Sequence, residues 1–500
     1  MDEDPKQKPF TPEVLDKTVI AIPLLDILDA EDKGKPKALQ PVIIDINLEY
    51  RDGREAARSR ITQEIETAIQ RFGTPGVKQG VNVAKTRLSE QYIFAVLEGG
   101  VIRGLVKIDN EERKASDAPG GRMLQRAIYR IWPDFKVQAL ISKSIATVKA
   151  DAARSSFSAE GNDIVWAVLD SGVDKTHPHF AEHQNLVLNA PLQHLDFTAL
   201  SGPGDALSDP FGHGTHVAGI IAGEIPANSP YRIVALARHR DEEGEITFDR
   251  VELKKIAGMA PKCRILSLKV LDANGQGSAS SLIAAIAAIQ QINGNGRRLQ
   301  VHGVNMSVGY DFEPEWFACG QSPLCVEVDR LVRSGVVVVV AAGNTGYGSL
   351  KSSIGASSAG LALTINDPGN ADLAITVGST HRDMPHVYGV SYFSSKGPTG
   401  DGRLKPDLVA PGEKIISAAT GTLMQEGSKN PCDYVETSGT SMAAPHVSGV
   451  IAAFLSVRRE FVGQPERVKE IFVSTATDLR RERSFQGSGL VDLMRAIQSV

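Results

Sequence analysis

Ser441 stands in the run Thr437-Ser-Gly-Thr-Ser-Met-Ala-Ala-Pro-His446, between the small residues Gly439 and Thr440 and an apolar stretch that continues to Leu455. Gly439 and Thr440 allow a tight turn, and the residues after them read as the start of a buried helix. A hydroxyl at a helix N-terminus faces unpaired N–H groups and the positive end of the helix dipole. Both favour the negative charge that develops in acyl transfer. Pro445 suits the first four helical positions, where its missing N–H has no intrahelical partner. A nucleophilic serine also needs a base for its proton and a third group to orient that base. An acid ends the apolar run Val165-Trp-Ala-Val-Leu-Asp170, and Phe211-Gly-His-Gly-Thr-His-Val-Ala-Gly219 puts His213 at the head of a small-residue helix. There an imidazole can lie between Asp170 and Ser441. Val337-Val-Val-Val-Ala-Ala-Gly-Asn344 delivers Asn344, whose amide N–H can hold an oxyanion together with the backbone N–H of Ser441.

Each of these residues has a blander role when taken singly. An Asp after a strand is commonly a cap, an Asn a turn former, and a histidine structural. His213 and His216 also have the look of a metal pair, but the His-Glu-x-x-His pattern is missing and no third ligand is evident, so no metal site is expected.

The elements that must position these groups read as an α/β fold. Ile164–Leu169, Ile265–Leu271, Val301–Val308, Val336–Ala342 and Leu373–Val377 are continuous apolar runs, as expected of parallel strands covered on both faces. Helical segments such as Ser281–Ile292 and Val326–Arg333 lie between them. This predicts a doubly wound, mainly parallel sheet over residues 145–500, with ligands at the carboxyl ends of its strands. Residues 41–144 predict a small α+β domain with helices on one face of an antiparallel sheet. Its expected elements are a strand at Val42–Glu49, a helix from Arg54 to Phe72, a strand at Tyr92–Leu97 and a short apolar stretch at Val101–Ile108. A helix around Met123–Arg130 and a strand near Phe135–Ile141 complete it. Residues 1–40 read as a polar leader with one apolar patch at Val19–Leu28, and the charged segment at about 224–257 reads as an exposed, solvated insertion.

A net charge of -5 and a sequence pI near 6.2 argue against nucleic acid and anionic membrane as partners. The N-terminus lacks the pattern of a secretory signal, and no apolar run approaches transmembrane length. A cytoplasmic location is therefore expected. There the four cysteines, Cys263, Cys319, Cys325 and Cys432, are expected as free thiols, although Cys319 and Cys325 are close enough in sequence to bridge.

With these motifs in the order Asp170, His213, Asn344, Ser441, the chain resembles a subtilisin-family serine protease from about Ile145 to Val500. The resemblance implies an Asp-His-Ser endopeptidase that cleaves polypeptides through an acyl-enzyme and needs no cofactor for chemistry. It also implies a substrate cleft formed by two strands, Ser307-Val308-Gly309 and Gly275-Gln276-Gly277. Calcium would be a structural ion only, and the sequence does not locate it. The domain at residues 41–144 is similar to a subtilisin propeptide, which implies a self-inhibited zymogen whose N-terminal domain is an intramolecular inhibitor, cut between Leu140 and Thr147. The competing expectation is a catalytically silent binding or regulatory protein on the same scaffold.

Overall fold

The computed structural model describes residues 19–32, 38–86, 91–115, 126–133, 143–198, 204–240, 246–312, 318–352, 355–425 and 432–500. These fall into two compact units, Met1–Gln138 and Ala139–Val500.

In the first unit, α1 (Ile22–Asp32), β1 (Leu39–Ile46), α2 (Arg54–Phe72), β2 (Gly80–Val81), β3 (Tyr92–Glu98), α3 (Gly99–Ala115) and β4 (Ile128–Pro133) follow in order. The sheet runs β2-β3-β1-β4 and every pairing is antiparallel. Val42, Ile44 and Ile46 of β1 are buried and alternate with less buried residues, so one face of the strand is covered. Those residues share a core with Ile61 and Ile65 of α2 and with Ile102 and Leu105 of α3.

Two expectations are corrected in this unit, and one apolar stretch is given its element. The apolar patch at Val19–Leu28 is not leader: Leu24, Leu25 and Leu28 of α1 enter the core, and Ile20 bridges to Ile131. The stretch Val101–Ile108 lies within α3, because Val101, Ile102, Leu105 and Ile108 recur at helical spacing and are all buried. Residues 128–130, expected in a helix, belong to β4, whose pairing along β1 overrides local preference. The strand expected at Phe135–Ile141 lies outside the described residues.

The second unit is built on β5 (Val165–Asp170), β6 (Leu195–Asp196), α4 (His213–Ile221), β7 (Ile233–Arg240), β8 (Ile246–Leu253), β9 (Arg264–Lys269), α5 (Ala279–Ile292), β10 (Gly303–Met306), α6 (Pro323–Arg333) and β11 (Val337–Ala341). It continues with the hairpin β12 (Tyr347–Ser352) and β13 (Gly355–Gly360), then β14 (Ile375–His381), β15 (Leu408–Glu413), β16 (Ile415–Ala418), β17 (Tyr434–Thr437) and α7 (Thr440–Val457). Seven strands form one sheet in the order β15-β14-β11-β10-β5-β9-β6, with parallel pairing throughout. The chain leaves β5 towards β9 on one side and later returns to β10 on the other. This reversal opens a crevice at the carboxyl ends of the strands.

The continuous apolar runs arise from the two covered faces. Trp166 and Val168 enter a core with α4 and α7, whereas Val165, Ala167 and Leu169 enter another with α5 and α6. α7 is 18 residues long with mean hydropathy 1.4, so by length and composition it could cross a membrane, contrary to the expectation that no such run exists. It is 83% buried in the protein, and its apolarity serves that core.

Among its described residues, the segment at 224–257 is not a loop. β7 and β8 form an antiparallel hairpin, and β7 pairs in parallel with β17 in a four-stranded sheet of order β16-β17-β7-β8. Alternation hidden by the charges explains the correction, since Ile233 and Ala235 are buried on one face.

Candidate active site

Asp170 ends β5 with its side chain fully buried, and its Oδ1 accepts the N–H of Ser171 at 2.8 Å. The same oxygen lies 2.8 Å from Nδ1 of His213. A carboxylate only accepts, so Nδ1 carries the proton and Nε2 is left as a basic nitrogen. α4 begins at His213 directly over the end of β5. A Cβ on Gly214 would come within 2.2 Å of the Gly172 carbonyl oxygen, so the residue after the histidine has to be glycine.

Asp209, absent from the sequence expectations, holds the start of this helix. It accepts the N–H of Gly212 (2.8 Å) and both the N–H (2.8 Å) and the hydroxyl (2.7 Å) of Thr215. An acid four residues before the histidine is the sequence signal that capping rules could have used. Burial acts to lower the His213 pKa, but the charge of Asp170, its hydrogen bond and the charge of Asp209 outweigh it. The imidazole is thereby held above its ordinary value.

Ser441 is the second residue of α7. Gly439 before the helix is extended (φ 165°), and the expected turn falls over Gly439–Met442, closed by a hydrogen bond from the Met442 N–H to the Gly439 carbonyl (3.0 Å). Pro445 is not in the first turn as expected. It stands within the helix, and its missing N–H leaves the carbonyl four residues back without a helical partner. That carbonyl is Ser441's own, and the Ser307 hydroxyl donates to it at 2.9 Å. Ser307 is fixed in turn by Asn305, whose Nδ2 donates to its hydroxyl (2.9 Å) and whose Oδ1 accepts from Ser448 (2.8 Å). The Ser441 hydroxyl donates to the Ser307 carbonyl at 3.0 Å, so that bond must break before the hydroxyl proton can pass to a base.

Asn344 follows β11, and its Oδ1 accepts the N–H (2.9 Å) and hydroxyl (3.0 Å) of Thr440. This fixes the amide with its NH2 end turned the other way. Asn344 Nδ2 and the Ser441 backbone nitrogen lie 3.5 and 3.7 Å from the point a Gly439 Cβ would occupy, so both nitrogens border the same spot. His213, Asn344 and Ser441 line one cavity of about 600 Å³, with Asp170 buried behind His213.

A family model described as the subtilase family matches residues 161–490. The chain belongs to the subtilase family. Its second unit is that of a subtilisin-type serine endopeptidase. Serine protease AprX of Bacillus subtilis is 27% identical over 386 residues, 74% of this chain and 74% of its own length. The major intracellular serine protease of the same organism is 32% identical over 63% of this chain and 75% of its own. Pyrolysin of Pyrococcus furiosus is 32% identical over 58% of this chain, but the match spans only 21% of pyrolysin.

In this subtilase all six residues expected in the cleft, Gly275, Gln276, Gly277, Ser307, Val308 and Gly309, line the same cavity. They are not strands, however. Ser307–Gly309 lies just past β10, and 275–277 is a turn closed by a single bridge between Leu271 and Gly277. Asp272 shapes that turn by accepting the N–H of Asn274 (2.8 Å) and of Gln276 (2.9 Å). Phe211, Tyr310, Thr345 and Asn366 also line the cavity. The sequence offered no signal for Asn366, because only the chain's return beside Gly343 brings it there.

His216 faces inward and bonds the Val435 carbonyl at 3.1 Å, and burial pushes its pKa down to about 3. Among the described residues no group of three or more His, Cys, Asp or Glu gathers as metal ligands. All four cysteines are buried, and none is in a disulfide.

Proposed function

We propose that this subtilase hydrolyses internal peptide bonds through Asp170, His213 and Ser441. The observation that carries the reading is the 2.8 Å Asp170–His213 hydrogen bond behind a cavity that Ser441 and Asn344 also line. In the proposed sequence, the Ser441 oxygen attacks the peptide carbonyl while His213 Nε2 takes its proton. Asn344 and the Ser441 N–H hold the oxyanion. Asp170 keeps Nδ1 protonated and stabilises the imidazolium. His213 then returns the proton to the leaving amine, the C–N bond breaks, and water activated by the same nitrogen hydrolyses the ester. Labelling by a fluorophosphonate probe tests this. Wild type is expected to label and Ser441→Ala not to, and a wild type that folds but does not label would favour a silent scaffold.

We further propose that the first unit is a propeptide-like intramolecular inhibitor and that the chain is made as a zymogen. Its order in the chain and its helix-covered antiparallel sheet support this. N-terminal sequencing of wild type beside Ser441→Ala reads maturation directly, and identical full-length chains would remove the maturation step. Four buried cysteines, none in a disulfide, suit the proposed reducing, cytoplasmic setting.

A further inference from the structure

Asn344 sits on the run Gly343–Gly346, which lies against the segment Phe393–Lys396. Gly346 N–H donates to the Phe393 carbonyl (2.9 Å), Ser395 N–H to the Gly343 carbonyl (2.9 Å), and Thr345 N–H to the Ser395 hydroxyl (3.2 Å). The approach leaves no space. A Cβ on Gly346 would stand 1.9 Å from the Ser394 carbonyl oxygen, and one on Gly343, where φ is +108°, 2.8 Å from Ser395 Oγ.

A lysine closes this contact. Lys396 is 5% exposed, and its Nζ donates to the carbonyls of Gly346 (2.7 Å) and Tyr392 (3.2 Å) while lying 5.0 Å from the centroid of the Phe485 ring. Burying an ammonium against neutral carbonyls is costly, and burial accordingly pushes the Lys396 pKa down. A methionine of similar length would avoid that cost, so stability alone does not account for a lysine here. What the ammonium does that an apolar chain would not is tie a carbonyl of the Asn344 run to a carbonyl of the bracing segment. A donor for an oxyanion acts through being held in place before the charge forms.

We infer that Lys396 is a positioning residue for the oxyanion site: its ammonium fixes the run Gly343–Gly346 and thereby holds the Asn344 amide at the Ser441 end of the cavity. This rests on the reading of Asn344 as the oxyanion donor. Misplacement by about 1 Å can cost roughly 10²-fold in rate, so Lys396→Met is expected to lower kcat about 10- to 100-fold with KM within about 2-fold. Lys396→Arg, which keeps charge and donors, is expected to recover most of the loss.

The deciding experiment is a double-mutant cycle with Asn344→Ala, read as kcat on a peptide substrate. If Lys396 acts through Asn344, Lys396→Met costs less than about 2-fold once Asn344 is alanine. An equal loss in both backgrounds, or a folded Lys396→Met with wild-type kcat, overturns the inference while leaving the function proposed above intact. A wild-type kcat in Asn344→Ala removes the oxyanion reading and this inference with it, whereas loss of labelling at Ser441 is a separate readout of the protease reading. Should Lys396→Met fail to fold, Lys396→Leu, which likewise removes every donor, carries the same cycle with the same outcomes.

Discussion

His213 and His216 stand on the same nine-residue helix, three positions apart, and their surroundings drive them in opposite directions. His213 faces the cavity with its side chain 23% exposed and a buried carboxylate at Nδ1, which raises its pKa despite burial. His216 faces the core, where desolvation dominates and a backbone carbonyl is the compensation, so it is held neutral far below its ordinary pKa. Residue type and helix position are nearly the same for the two. The side of the helix decides whether an imidazole can exchange protons with a substrate or is locked into packing.

The most forceful way to break this contrast is Asp170→Asn, which removes the charge that separates His213 from its neighbour and favours the wrong tautomer. The same change in a chymotrypsin-type triad lowers turnover about 10⁴-fold, and a loss of that order in kcat is expected here. A loss below about 10-fold would mean that the carboxylate is not what distinguishes His213.

Acid stability examines the buried partner. His216 and His179 (about 3) and His446 (about 4) have folded pKa values well below 6.5, so the unfolded chain binds protons that the folded one refuses. Stability must then rise with pH across that window and fall as pH drops from about 6.5 towards 4, by about 1.4 kcal/mol per pH unit for each such histidine. Urea unfolding of Ser441→Ala at several pH values measures the slope. His216→Gln, which keeps an N–H for the Val435 carbonyl, should reduce it by one proton, and an unchanged slope would assign the effect to other groups.

His213 has the opposite sign. Its raised pKa adds stability at low pH that is lost as pH climbs through the folded value, and activity needs the neutral form. The acid limb of kcat/KM is therefore expected above pH 6.5, on the other side of the ordinary value from the stability loss. Asp209→Asn, which removes a charge that raises His213, should move that limb down. A limb below 6.5 in wild type would contradict the electrostatics of the site. The smallest effect is expected far from both histidines: breaking the exposed Arg467–Glu470 pair by Arg467→Ala should change stability by about 0.5 kcal/mol or less and leave both pH profiles in place.

Much of the fold was legible where burial imposes one pattern. The runs at Val165 and Val337 are apolar at every position because alternate residues feed two cores, and that pattern can be read without coordinates. The hairpin β7–β8 was not legible, since its charged residues mask a single buried face, and α1 was hidden in an otherwise polar stretch. In the candidate site, Asp170, His213, Asn344 and Ser441 could be named from motifs, and Asp209 could have been from its place before a helix. The link from Pro445 to Ser307 could not, because it joins a missing N–H on a helix to a hydroxyl 138 positions earlier in the sequence.

The sequence by itself determined which chemical groups the chain carries, their order, and the apolar pattern that requires a sheet covered on both faces. Only the tertiary structure decided that His216 is locked into the core, which carbonyl the proline frees for Ser307, and that a buried lysine braces the Asn344 run. The reason is physical: proton affinity and donor direction depend on what surrounds a side chain in three dimensions, and those surroundings come from segments that are distant along the chain.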